Sequence, residues 1–337
     1  MVLTGLDHSS KNAFKSYVVF LLVVTGLLAG VYEGYQQWQR LSCWGGGYVQ
    51  DAWMSYCESK RFGSYEHAAV FFGLEPEIRE KMAEAQILTL SGSRLQEALS
   101  IAGASDWFKE RGLRLYMLGF GYDEQSGFAE MLLSKYQTHP DVLVINADPY
   151  LTGQLSDVAK LIKSNPHTEV TAALELRRFE EWHRWICARI DWICRGTNAS
   201  FRARSDGHWI FSPDKDRDKP RSMVLPAAPT ESARLAKYLE NAKRLLRLVN
   251  VDRRCVIFTT VPSTDQSGDV AAFLAERLGA RSVLPEVHDL HTRDGSHLTP
   301  ESAGRWTRSF LTVAEPIFNE CISPREPRSV STTSDTH

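Results

Sequence analysis

The chain has 337 residues, 43% of them hydrophobic, and a formal net charge of -2. That length suits one large domain or two small ones, and the apolar content is enough for a real core. The near-neutral balance argues against nucleic acid or an anionic membrane surface as the main partner. The local pairs Arg177-Arg178 and Arg253-Arg254 read as solvated helix faces or strand ends.

The first informative segment runs from Ser16 to Tyr32 and contains no charged residue. It fits the lower end of the roughly 17–25 residues that span a bilayer. A cleaved signal peptide is the rival, but its apolar stretch is usually only about 7–15 residues. Leu28-Ala29-Gly30 resembles the start of a lipoprotein cleavage box, yet Val31 stands where the lipidated cysteine belongs. We therefore read residues 16–32 as an uncleaved transmembrane anchor. Lys11 and Lys15 precede it and Arg40 is the first Lys or Arg after it, so residues 1–15 are expected in the cytoplasm and the remainder outside.

Residues 33–85 are aromatic and irregular at first and more helical toward Glu75–Ala85. They read as a stalk and N-terminal extension packed on the main domain. An α/β domain is expected over 86–320. Short apolar strands are predicted at Ile87–Leu90, Leu113–Leu118, Asp141–Ala147, Cys255–Val261 and Arg281–Leu284. Helices are predicted at Arg94–Ala102, Glu124–Gln137, Thr230–Leu248, Val270–Leu278 and Pro300–Val313. This alternation predicts a parallel sheet covered by helices on both faces. Residues 175–228, rich in Trp, Arg and Asp, interrupt it as an insertion. Trp182, Trp185, Trp192 and Trp209 are candidates to stack on sugar rings, but the helical spacing of Trp182, Trp185 and Trp192 suggests core packing for those three. The stretch 321–337 is polar and rich in Ser and Thr, so a disordered tail is expected.

None of the six cysteines forms a CxxC pair. In an exported domain, Cys43 with Cys57 and Cys187 with Cys194 are plausible disulfides by proximity in sequence. Cys255 opens an apolar run and reads as a small buried hydrophobe.

A parallel sheet presents its site at the carboxyl ends of its strands. There, Leu90-Ser91-Gly92-Ser93 turns from a strand into a helix, whose free N–H groups favour developing negative charge. Alone, such a serine is more often an ordinary N-cap. Asp294-Gly295-Ser296-His297 lies just before Thr299-Pro300, a helix-opening pair. A serine needs a base, and the base needs a partner to fix its tautomer. On spacing alone, a solvated surface loop would remain the plainer reading of Asp294 and His297.

Together these segments resemble blocks I and V of the SGNH, or GDSL-type, ester hydrolases. LYMLGFGYDEQSG at Leu115–Gly127 resembles block II, and VLVINADPYLTG at Val142–Gly153 resembles block III. The resemblance covers about 87–313. It implies a flavodoxin-like three-layer α/β/α sandwich, with Ser93 as nucleophile, His297 as base and Asp294 as its orienter. The implied oxyanion hole uses the backbone N–H groups of Ser93 and of Gly121 or Tyr122. In place of the family's block III asparagine stands Asp148, whose ionised carboxylate would repel an oxyanion. Asn146 could substitute only if the register shifts by two. Ser91 and Gly92 also depart from the usual Gly-Asp pair.

Anchored relatives of this kind often serve acyl modification of envelope or exported polysaccharides in bacteria. The resemblance therefore implies an esterase or O-acyltransferase on the inner membrane, its domain in the periplasm or outside the cell. The expected contacts are the membrane, an acyl-ester or polysaccharide substrate and envelope proteins. No cofactor, metal or nucleic acid is expected. The altered blocks also fit a non-catalytic scaffold or carbohydrate-binding component of an envelope assembly.

Overall fold

A computed structural model describes residues 8–41, 51–57, 65–121, 124–147, 149–187, 189–190, 199–211, 219–225, 229–266 and 268–322. It begins with a long helix, α1 (His8–Leu41), whose segment Lys15–Gly34 is long and apolar enough to cross a membrane. Twenty residues at 1.5 Å each give about 30 Å, the thickness of a bilayer's hydrocarbon core. A signal sequence would meet the same criterion of length and composition.

After α1 come β1 (Ala52–Cys57) and two short helices, α2 (Tyr65–Phe72) and α3 (Ile78–Glu84). Trp53, Tyr65, His67, Ile78 and Met82 are all buried, so these elements are part of the folded body. The body is built on a parallel sheet with strands β2 (Ile87–Gly92), β3 (Leu115–Phe120), β4 (Val142–Asn146), β8 (Val256–Thr259) and β9 (Arg281–Ser282). Their spatial order is β3-β2-β4-β8-β9, and every neighbouring pair is parallel.

Side chains alternate across each strand. Leu88, Leu90, Leu143 and Ile145 join one apolar cluster with α6 (Ser126–Tyr136), α9 (Ser232–Leu248) and α10 (Asp269–Leu278). Ile87, Val142 and Val144 join a second cluster with α4 (Ser93–Ile101), α5 (Ala104–Glu110) and α11 (Pro300–Cys321). Helices thus cover both faces, and each fully buried Leu, Ile or Val contributes about 1.5–3 kcal/mol.

Between β4 and β8 lie α7 (Asp157–Ser164), α8 (Pro166–Cys187), β5 (Ala199–Ala203), β6 (Trp209–Phe211) and β7 (Ser222–Met223). The insertion does not stand apart. Strand β5 pairs antiparallel with both β1 and β6, so the N-terminal extension and the insertion build one small sheet together. Arg202 of β5 is fully buried, donating to Glu66 at 2.6 Å and to the carbonyls of Met117 and Gly119 at 2.7 and 3.0 Å. It fastens this second sheet to the edge strand β3 of the first.

Several expectations need correction. Trp182 and Trp185 are 50% and 57% exposed, because the buried side of α8 is the one carrying Ala173 and Glu180. Trp192 lies outside the described residues. Cys255 is not a lone hydrophobe but is bonded to Cys321 across a separation of 66 residues. The start of β8 and the end of α11 meet in space, which proximity in sequence cannot reveal. Helix α11 accordingly runs past Val313 to Cys321, with Ala314 and Phe318 buried and Pro316 on the exposed side. Cys43, Cys187's side chain and Cys194 lie outside the described residues, as does most of the expected tail.

Candidate active site

Ser93 is the first residue of α4, reached directly from β2 through Gly92. It sits at the carboxyl end of the sheet, where the first N–H groups of a helix lack intrahelical acceptors. His297 arrives from the far end of the chain on a tight loop between β10 (His291–Thr292) and α11. That loop is closed at its base by an antiparallel bridge between Thr292 and Leu298. Gly295 within it has φ +86°, a conformation that costs glycine little and side-chain-bearing residues more.

The three residues form a relay. Ser93 Oγ lies 2.8 Å from His297 Nε2, and His297 Nδ1 lies 2.7 Å from Asp294 Oδ2. The second carboxylate oxygen of Asp294 accepts from the backbone N–H groups of His297 and Ser296 at 2.7 and 2.9 Å. Partial burial pushes the Asp294 carboxyl upward, but the hydrogen bonds from His297 and Ser296 outweigh it and hold the group well below the usual carboxylate range. Asp294 is therefore an anion, able to fix Nδ1–H and leave Nε2 as acceptor for the serine proton.

The loop is gripped from two sides by α4. Arg94 Nε donates to Ser296 Oγ at 2.8 Å, and its Nη2 to Asp265 at 3.1 Å. Arg293, inside the loop, donates to Glu97 at 2.7 Å. Gly295 O in turn accepts from the Thr264 hydroxyl at 2.8 Å. Nucleophile and base, 204 residues apart, are thus held by side chains adjacent to each of them.

A pocket of about 290 Å³ opens beside the relay and is lined by Ser93, His297 and Gly121. Tyr56 of β1 and Trp209 and Phe211 of β6 line it as well. Trp209 Nε1 donates to Glu66 at 2.7 Å, and the same carboxylate oxygen takes the bond from buried Arg202. Nothing in the local sequence around Glu66 or Arg202 signals this pairing, because their 136-residue separation is spanned only in the fold.

Gly121, an expected oxyanion donor, lines the pocket. Tyr122 and Asp148 lie outside the described residues. Asn146 is wholly buried, and its side-chain carbonyl accepts from Val261 N–H at 3.2 Å. Elsewhere in the core, His67 Nε2 lies 3.1 Å from Glu124 with both side chains sealed from solvent. Among the described residues, no three His, Cys, Asp or Glu side chains gather as a metal site.

This geometry defines a class of site: a hydroxyl, an imidazole and a carboxylate in series, at the end of a parallel sheet and beside a small aromatic pocket. No protein-family model, no curated protein and no solved structure matches the chain.

Proposed function

We propose that this protein is a membrane-anchored serine ester hydrolase or O-acyltransferase of the SGNH type, acting outside the cytoplasmic membrane. The observation that carries the reading is the Ser93–His297–Asp294 relay, with both hydrogen bonds within 2.8 Å. With its five strands numbered in chain order, the sheet reads 2-1-3-4-5 across, which supports a flavodoxin-like sandwich.

In the proposed reaction, Ser93 Oγ attacks an acyl carbonyl while His297 takes its proton. The oxyanion is held by backbone N–H groups at Ser93 and Gly121. His297 then returns the proton to the departing alkoxide. Water or a second hydroxyl, deprotonated by the same imidazole, then attacks the acyl carbon, and His297 passes that proton to the departing Ser93 oxygen. An acyl ester of an envelope or exported polysaccharide is the substrate class that the resemblance supports, and the pocket of about 290 Å³ admits a short acyl chain. The apolar run of α1 and the lysines before it support an inner-membrane anchor with the catalytic domain in the periplasm or beyond.

The test is covalent labelling of the full-length protein by a fluorophosphonate probe, which requires an activated serine. Wild type should be labelled and Ser93→Ala should not. The expected rate loss for Ser93→Ala and for His297→Ala with an acetyl ester is similar, and the double variant should be little worse, since relay members act as a unit. Wild-type protein that resists the probe and turns over no ester would make the fold a binding scaffold and end the enzyme reading.

A further inference from the structure

Helix α8 carries an outward stripe with no counterpart elsewhere in the proposed chemistry. Leu174, Arg178, Trp182 and Trp185 follow one another at helical spacings of four, four and three, so they share one side. Leu174, Trp182 and Trp185 are 38%, 50% and 57% exposed, and Ile190 just past the helix is 40% exposed. The Arg189 guanidinium lies 3.9 Å over the ring of Trp185. An indole pairs a large apolar body with one polar N–H, which suits a boundary between hydrocarbon and water better than open solvent.

The position of the stripe in the chain identifies that boundary. Arg184 Nη2 donates to the carbonyl of Ala52 at 3.2 Å, and Glu180 accepts from the N–H of Met54 at 3.2 Å. The tryptophan-bearing end of α8 is therefore bonded to the first residues of β1. Only residues 42–50 separate Asp51, the residue before β1, from the end of the apolar helix α1 at Leu41. Fully extended, that connection reaches at most about 35 Å.

We propose that this stripe docks onto the phospholipid bilayer that holds α1. Trp182 and Trp185 enter the interfacial layer while Arg178 and Arg189 lie against lipid phosphates. This rests on the reading of α1 as a membrane span. It also orients the catalytic domain, because β1 runs from the docked edge to the pocket wall at Ser55 and Tyr56. The pocket then faces a fixed distance from the membrane instead of swinging on a tether.

The test uses full-length protein in phosphatidylcholine nanodiscs whose acyl chains are brominated near the headgroup, or are not. Wild type is compared with Trp182→Phe/Trp185→Phe. The emission contributed by the two indoles, taken as the difference between the proteins, should fall by at least half in brominated discs. Quenching from tryptophans near α1, common to both proteins, cancels. Difference emission that is equal in both discs overturns the docking and leaves the membrane span standing. Protein that does not enter nanodiscs at all overturns the span and the docking together. If the double variant fails to fold, each single substitution gives the same comparison with half the signal.

Discussion

At the scale of single residues, the relay is held in place by its neighbours as much as by its own hydrogen bonds. Arg94 follows Ser93 directly and reaches across to Ser296, one residue before His297. Removing it by Arg94→Ala should let the Asp294–His297 loop shift relative to α4. A misplacement of about 1 Å can cost about 10²-fold in turnover, so esterase rate and probe labelling should fall together by up to that amount. Stability should change little, because the Arg94–Asp265 pair is largely solvated on the Asp265 side. Arg94→Lys should not restore the rate, since an ammonium lacks the planar fork that bonds Ser296 and Asp265 at once. Asp294 gives a second residue-scale expectation. Its folded carboxyl is held below the ordinary value, so it favours the folded state at every pH above the unfolded carboxyl's, near about 4. The contribution is lost as pH falls through the lowered folded value. Asp294→Asn should therefore lower the Tm at pH 7, and the gap to wild type should close as the pH drops below about 4. A gap that is constant from pH 7 to acid would show that the carboxylate's charge is not what matters.

Among the elements, α8 shows how a helix read correctly in its period can be misread in its direction. The spacing of Trp182 and Trp185 does mark one side of a helix, but periodicity does not say whether that side meets the core or the solvent. The inward side instead carries Glu180, 3% exposed, against Met54 and beside Glu75. Burial pushes its carboxyl up to about 7, nearby Glu75 adds to the rise, and the contact from Arg184 offsets only part of it. A raised folded pKa means stability that is full below about 4.3 and is lost as pH rises through about 7. Glu180→Gln keeps an acceptor for Met54 N–H without the buried charge. Its Tm relative to wild type should rise between pH 5 and pH 8, and a fall over that interval would mean the Arg184 contact outweighs desolvation. The strands and helices of the main sheet were legible in the sequence because βα alternation and the continuous apolar runs of β2, β4 and β8 are local signals. So were Ser93, Asp294 and His297, which sit at a strand end and before a helix start. The small sheet was not. Trp53 of β1 pairs with Arg202 of β5, and no pattern confined to either segment encodes a partner that far away. Of the pocket's aromatic residues the sequence singles out Trp209 alone, and Tyr56 and Phe211 were missed for the same reason, since they belong to that sheet.

The molecule as a whole is closed by a bond that joins its sheet to its last helix. Cys255, just ahead of β8, is linked to Cys321 at the end of α11, a separation of 66 residues, and the segment between them contains β9, β10, the Asp294–His297 loop and most of the α11 packing. Closing a loop of that length removes chain entropy from the unfolded state worth up to about 4 kcal/mol. For a body of this size, that corresponds to a fall in Tm of roughly 10 °C on reduction. Such bonds persist in oxidising compartments and are rare in the cytosol. The disulfide therefore bears on topology as well as stability. Protein extracted from membranes with thiols blocked at lysis should show Cys255 and Cys321 protected from maleimide, reacting only after reduction and unfolding. The reduced protein should melt at the lower temperature and label more slowly with the fluorophosphonate probe, because the loop that carries His297 lies inside the released segment. Free thiols at both positions in membrane-extracted protein would put the domain on the cytoplasmic side and remove the basis for an envelope substrate. An alkaline-phosphatase fusion after residue 60 reads the same question independently, and should be active only if β1 and all that follows it lie across the membrane.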